Sequence, residues 1–184
     1  MSKTVKLHTP LTDEDLEQLN IGDKVLLSGT VYTARDAAHQ RLIDLLEENE
    51  ELPIEINGQV IYYVGPAPAP PGKPIGSAGP TTSYRMDPFT PLLQDKGLKA
   101  TVGKGPRGKK VIESIKKNKA VYLAAVGGVA ALIAKSIKKA EIVAYSDLGA
   151  EAIRKLEVKD FPCIVANDTK GNDLYKEGQS KYKI

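Results

Sequence analysis

The chain has 184 residues, of which 41% are hydrophobic and 27% charged, and its formal net charge is +3 at pH 7. That balance supports a hydrophobic core and excludes a disordered chain. With so mild a charge, no Trp and only 2 Phe, phosphate neutralisation and base stacking are poorly supplied, so nucleic acid is not an expected partner.

One cysteine, Cys163, rules out a disulfide framework within the chain. Together with 2 histidines it falls short of the about four Cys or His ligands that an iron–sulfur cluster or a closed zinc site requires, so no metal site is expected in this chain. The longest apolar run, Ala120 to Ala134, is interrupted by a Gly pair and closed by lysines. It is too short to span a bilayer and predicts a buried strand followed by a helix. The opening residues carry no apolar leader core, and a cytoplasmic protein without a membrane partner is expected.

In chain order, "VKLHTPLTDEDLEQL" predicts a strand, a turn and a short helix from Thr12 with acids in its first turn. "IGDKVLLSGTVYTA" alternates around Gly29 as a strand. "RDAAHQRLIDLLEENEELP" carries Ala38, Leu42 and Leu45 at helical spacing, and "QVIYYVG" is a strand. Gly65 to Pro80 holds half of the chain's 12 prolines and predicts a rigid loop inside one domain. "DPFTPLLQDKG" comes next as a short helix with an early Pro and a Gly beyond its end. From Leu98 strands and helices alternate: "LKATVG", helix "RGKKVIESIKKN", "AVYLAAVG", helix "GVAALIAKSIKK", "AEIVAYSDLG", helix "AEAIRKLEV" and "FPCIVAND". Alternation of this kind indicates a parallel sheet. The strand-dense first third is expected to add a second, partly antiparallel one.

Three short stretches can carry chemistry. In "TARDAAH", Thr33-x-x-Asp36 has the spacing of a capping box, which sets Arg35 in the first turn of a helix and His39 one turn on, on the same face. An arginine there is electrostatically unfavourable unless an anion is near. It can equally pair with Asp36 or a surface acid, with His39 a packing residue. In "GPTTSYR", Gly79-Pro80 fixes a turn. One of Thr81 and Thr82 can cap the next turn of the chain, leaving the other hydroxyl free. If the segment is helical, Arg85 shares a face with Thr81 and can grip a carboxylate bidentately. "GKGPRGKK", Gly103 to Lys110, fits the start of a phosphate-binding loop, but Lys110 stands where magnesium would require Ser or Thr. A Gly-rich turn from which Lys104 reaches an anion fits better, and a solvated basic turn remains open. The three stretches together describe a site for a small polyanion, with a dicarboxylate the natural candidate. A stand-alone anion- or nucleotide-binding module using Gly103 to Lys110 is the alternative of another class.

In order and spacing, "LSGTVYTARDAAHQRL", "GPTTSYRMDPFTPLL" and "TVGKGPRGKK" resemble the C-terminal or β part of the class I iron–sulfur fumarate hydratases and L-tartrate dehydratases. The resemblance runs from about Leu7 to about Asp173. It implies an α/β fold, a swivelling β/β/α domain over residues 1–184 with a parallel sheet, a smaller antiparallel sheet and helices. It implies a hydro-lyase subunit that interconverts malate and fumarate, or dehydrates L-tartrate, together with an α subunit that carries the [4Fe-4S] cluster. A hetero-oligomer is expected, with a dimer of αβ one form. By the same resemblance Thr81 is the catalytic threonine, Arg35 and Arg85 bind substrate carboxylates, and Lys104 is the family's lysine in the "GKG" turn. Thr82 and His39 belong to the same motifs as further candidates.

Overall fold

The computed structural model describes residues 1–125 and 130–181. The elements in chain order are β1 (Thr4–His8), α1 (Asp13–Glu17), β2 (Lys24–Thr33), α2 (Asp36–Glu47), β3 (Val60–Tyr62), α3 (Thr90–Asp95), β4 (Ala100–Gly103), α4 (Lys109–Asn118), β5 (Val121–Ala125), α5 (Ala130–Ser136), β6 (Ile137–Ala144), β7 (Ile153–Asn167) and α6 (Leu174–Lys181). Single turns of 3-10 helix cover Ser83–Met86 and Ser146–Glu151.

The α/β class is as expected, but the parallel and antiparallel parts share one sheet. β1, β2, β3, β4 and β5 run parallel in that order. β7 then pairs antiparallel with β5 and also with β2, which closes β2, β3, β4, β5 and β7 into a ring. Along its other edge β7 is handed from β6 to β5: Val158 faces Ile137, and Ile164 faces Ala124. The change falls at Asp160, whose φ of 52° breaks the alternation of buried side chains.

Closing the ring gives the core its shape. Leu27, Val31, Tyr62, Leu123 and Phe161 belong to one buried cluster, and the Tyr62 and Phe161 rings meet edge to face at 5.2 Å. Each such side chain contributes roughly 1.5–3 kcal/mol of burial. A second cluster forms where α2 and α3 cover the sheet, through Ala38, Leu42, Leu93 and Tyr63.

Two elements differ from expectation. The stretch "AEAIRKLEV", predicted as a helix, supplies the first half of β7. Its Ala, Glu, Lys and Leu favour helix weakly, but Leu156 and Val158 are buried, alternate with exposed Lys155 and Glu157, and lie between β2 and β6. Pairing on both edges outweighs propensities worth tenths of a kcal/mol per residue. The helix expected through Lys139 stops at Ser136, whose hydroxyl donates to the Ile133 carbonyl, and Ile137 to Lys139 open β6 instead. The start of that helix, at Gly128 and Val129, lies outside the described residues.

The proline-rich loop is folded back on itself rather than extended. Ala67 N–H donates to Ser77 O at 2.9 Å and Gly76 N–H to Ala67 O at 3.2 Å. A Cβ on Gly76 would lie 2.4 Å from the Pro68 carbonyl oxygen, so only glycine allows this approach. The Tyr62 hydroxyl donates to Ala78 O, which ties the end of the loop to β3.

Candidate active site

β2, β3 and β4 are parallel, so their carboxyl ends, and the segments that follow them, lie at one end of the sheet. Arg35 follows β2, and Lys104 follows β4. Beyond Tyr63 the backbones after β3 and β4 part, and Thr81 enters the gap. Its N–H donates to Tyr63 O at 2.7 Å and its carbonyl accepts from Lys104 N–H at 3.3 Å. Thr82 forms a parallel bridge with Lys104, and Ser83 N–H donates to Lys104 O at 2.9 Å. The threonines are therefore held by their backbones. Among the described residues neither hydroxyl has a hydrogen-bond partner, and the exposed Lys104 ammonium has no acid within ion-pair distance.

This corrects the capping roles read from spacing. Thr82 precedes the Ser83–Met86 turn but makes no side-chain cap, and Thr81 lies outside the turn, so it shares no helical face with Arg85. At the other motif, Arg35 is itself the N-cap of α2 rather than a first-turn residue. Thr33 caps nothing. It ends β2, where its hydroxyl donates to Ala152 O and accepts from Arg154 N–H.

Asp36, the first residue of α2, sits between the two arginines. Its Oδ2 is 3.1 Å from Arg85 Nη2 and 4.0 Å from Arg35 Nη2. The closer pair is a charge contact without hydrogen-bond alignment, since Oδ2 is buried and accepts no hydrogen bond. Arg35 Nε is likewise buried without an acceptor. Gly65 makes room for this side chain: a Cβ there would lie 2.8 Å from Arg35 Nη1.

His39 is fully buried, so it does not face the open end of the sheet. Its Nδ1–H donates to Arg35 O at 2.7 Å, and its ring packs against Tyr63 and Phe89. Burial, reinforced by the nearby Arg107 charge, pulls its pKa down to about 4. It is a neutral support for the Arg35 backbone.

Sequence reasoning missed the residues that hold the lysine turn. Arg107 is buried and joins the two motifs. Its Nε donates to Asp87 Oδ1 at 2.7 Å, Nη1 to Thr101 at 3.0 Å and Nη2 to Thr90 at 2.8 Å, with the guanidinium over the Tyr63 and Tyr122 rings. The other Asp87 oxygen accepts the Gly108 N–H at 2.7 Å, so the protein's own carboxylate already occupies the start of α4. A bound phosphate would need that place. Tyr122 also matters: its hydroxyl contacts Ser83 Oγ and donates to Gly105 O, both at 2.8 Å. Arg107 and Asp87 lie inside the two motifs, but no local spacing signals a contact between residues 20 positions apart.

Cys163 does not fit a cluster-ligand role. Its thiol is buried in the core beneath β7 and contacts Phe161 O, and burial pushes its pKa up to about 12, which disfavours the thiolate a cluster needs. Among the described residues no three His, Cys, Asp or Glu side chains are grouped to hold a metal ion, and no helix is long and apolar enough to cross a membrane.

The family model described as Fumarase C-terminus matches residues 1–178. "Fumarate hydratase 2" of Leishmania major is 43% identical over 166 residues, which is 89% of this chain and 29% of that protein. "Fumarate hydratase class I, anaerobic" of Escherichia coli strain K12 is 42% identical over 94% of this chain and 32% of its own length. The chain thus spans about a third of these relatives. "Putative L(+)-tartrate dehydratase subunit beta" of Methanocaldococcus jannaschii is 42% identical over 93% of this chain and 91% of its own. A match over nearly every residue, including all three motifs that meet at the carboxyl ends of β2, β3 and β4, means that the chain belongs to the fumarase C-terminus family.

Proposed function

We propose that this chain is the β component of a hydro-lyase that adds water to, or removes it from, a four-carbon dicarboxylate, with malate and fumarate the first candidates. The observation that carries the reading is the pair of backbone-held threonines whose hydroxyls have no partner among the described residues, set beside Lys104 at the sheet end where Arg35 and Arg85 also lie. Removing a proton next to a carboxylate builds negative charge on that carboxylate. Arg35, Arg85 and Lys104 are the groups of this chain that stabilise it as it develops, and two arginines suit the two ends of a dicarboxylate.

Thr81 is the proton-transfer group in this reading. A threonine hydroxyl is a weak base, and no acid among the described residues contacts it, so its activating partner comes from outside them. The [4Fe-4S] cluster implied by the family resemblance does not fit the donors here. It belongs in this reading to an α component, which makes the active form a heteromer, an αβ unit or a dimer of it, and a cytoplasmic location goes with it. L-Tartrate is the second candidate substrate, favoured by the tartrate-named relative whose length the chain nearly spans. The nucleotide-binding alternative is disfavoured by Asp87 at the start of α4.

Anaerobic co-expression with a cysteine-bearing α chain tests the proposal. Co-elution on size-exclusion chromatography and turnover of malate, fumarate or tartrate are expected from the pair, and a colourless, inactive protein from this chain alone. Separate elution at micromolar concentration with no turnover would overturn it.

A further inference from the structure

We propose that Asp36 is a positioning residue that sets the guanidinium groups of Arg35 and Arg85 in place before a substrate carboxylate arrives. The inference rests on the hydro-lyase reading for what the arginines bind, and on geometry for what Asp36 does. As the first residue of α2, Asp36 has a backbone fixed by a 12-residue helix, in a place where a carboxylate is electrostatically favoured. Its Oδ2 lies 3.1 Å from Arg85 Nη2 and 4.0 Å from Arg35 Nη2, so one anchored carboxylate faces one prong of each fork.

That contact leaves the rest of each fork for a ligand. Arg85 makes no other polar contact among the described residues, so its remaining N–H donors are open to a carboxylate. Arg35 Nε is a buried donor without an acceptor. A buried donor left unsatisfied is costly, so the Arg35 fork keeps hydrogen-bonding capacity that no described residue uses.

Two roles for Asp36 give opposite signs. If Asp36 only offsets the arginine charges, its removal strengthens anion binding and lowers KM. If it orders the forks, its removal means that long side chains must be fixed on binding, and KM rises by about tenfold. The test compares Asp36→Ala and Asp36→Asn in the complex with the α chain. Asp36→Ala should raise KM about tenfold with a smaller fall in kcat. Asp36→Asn keeps an acceptor oxygen and should lie in between; it also serves if the alanine variant fails to fold. An unchanged or lowered KM in the folded variants would overturn the proposal. Arginine side-chain NMR on this chain alone provides a readout independent of turnover. Rotation of the Arg85 guanidinium about its Nε–Cζ bond should be slow in the wild type and fast in Asp36→Ala, and equal rates in the two would overturn it. A wild-type complex without hydro-lyase activity would sink the functional reading, while the NMR comparison would still decide whether Asp36 holds the fork.

Discussion

His39 shows how a residue of a candidate-site motif can be buried behind the residue it supports. Its place four residues after Arg35 lets Nδ1–H reach back to the Arg35 carbonyl, which also accepts the His39 backbone N–H at 2.9 Å. Its depressed pKa makes it an acid-sensitive element. The unfolded chain protonates His39 below about pH 6.5, whereas the folded chain does so only near pH 4. Between these values the unfolded state binds more protons, so stability falls as pH drops from 6.5 to 4 and is unaffected by this group above that window. The integrated loss is roughly 3 kcal/mol at most, at 1.36 kcal/mol per unit. Urea unfolding at pH 7.5 and 4.5 should show this loss in the wild type and a much smaller one in His39→Gln. Equal losses would mean that His39 does not set the acid limit.

The turn between β4 and α4 is built for close approach at the scale of an element. A Cβ on Gly103 would lie 1.9 Å from Ser83 Oγ and 2.9 Å from Tyr63 Cδ2. Glycine is required here for space, although the sequence alone suggested only a Gly-rich turn. Gly103→Ala should push Ser83 off Tyr122 and shift both Lys104 and the threonines that bridge to it. A loss of about tenfold or more in kcat/KM is expected, since small misplacements at a reacting centre are costly. Ser83→Gly should restore part of it by removing the atom in the way. A Gly103→Ala variant with wild-type kinetics would show that the bridge does not control the site.

The same scale explains what was legible in the sequence. Elements with a strong local signal were found: α1 has the capping box at Thr12, and the apolar spacing of α2 buries Ala38 and Leu42. The first half of β7 was missed because its strand character comes from β2 and β6, far away along the chain. The motif residues could be named, and the resemblance assigned their roles. Spacing misjudged the mechanics, however: Thr33 and one of Thr81 and Thr82 were read as caps and none of them caps, and the Arg107–Asp87 anchor could be read from no local pattern.

For the whole molecule, closing the sheet through β7 fixes the ends of β2, β3 and β4 relative to one another, and the candidate residues ride on those ends. In the proposed function the chain contributes a cationic, hydroxyl-bearing face, and the metal chemistry would fall to another component. The most direct measurement is steady-state kinetics of Thr81→Ala in the assembled complex with the α chain. Removal of a proton-transfer group should lower kcat by roughly a hundred- to ten-thousand-fold with little change in KM. A correctly assembled Thr81→Ala complex with near-normal kcat would contradict the account and turn attention to Thr82.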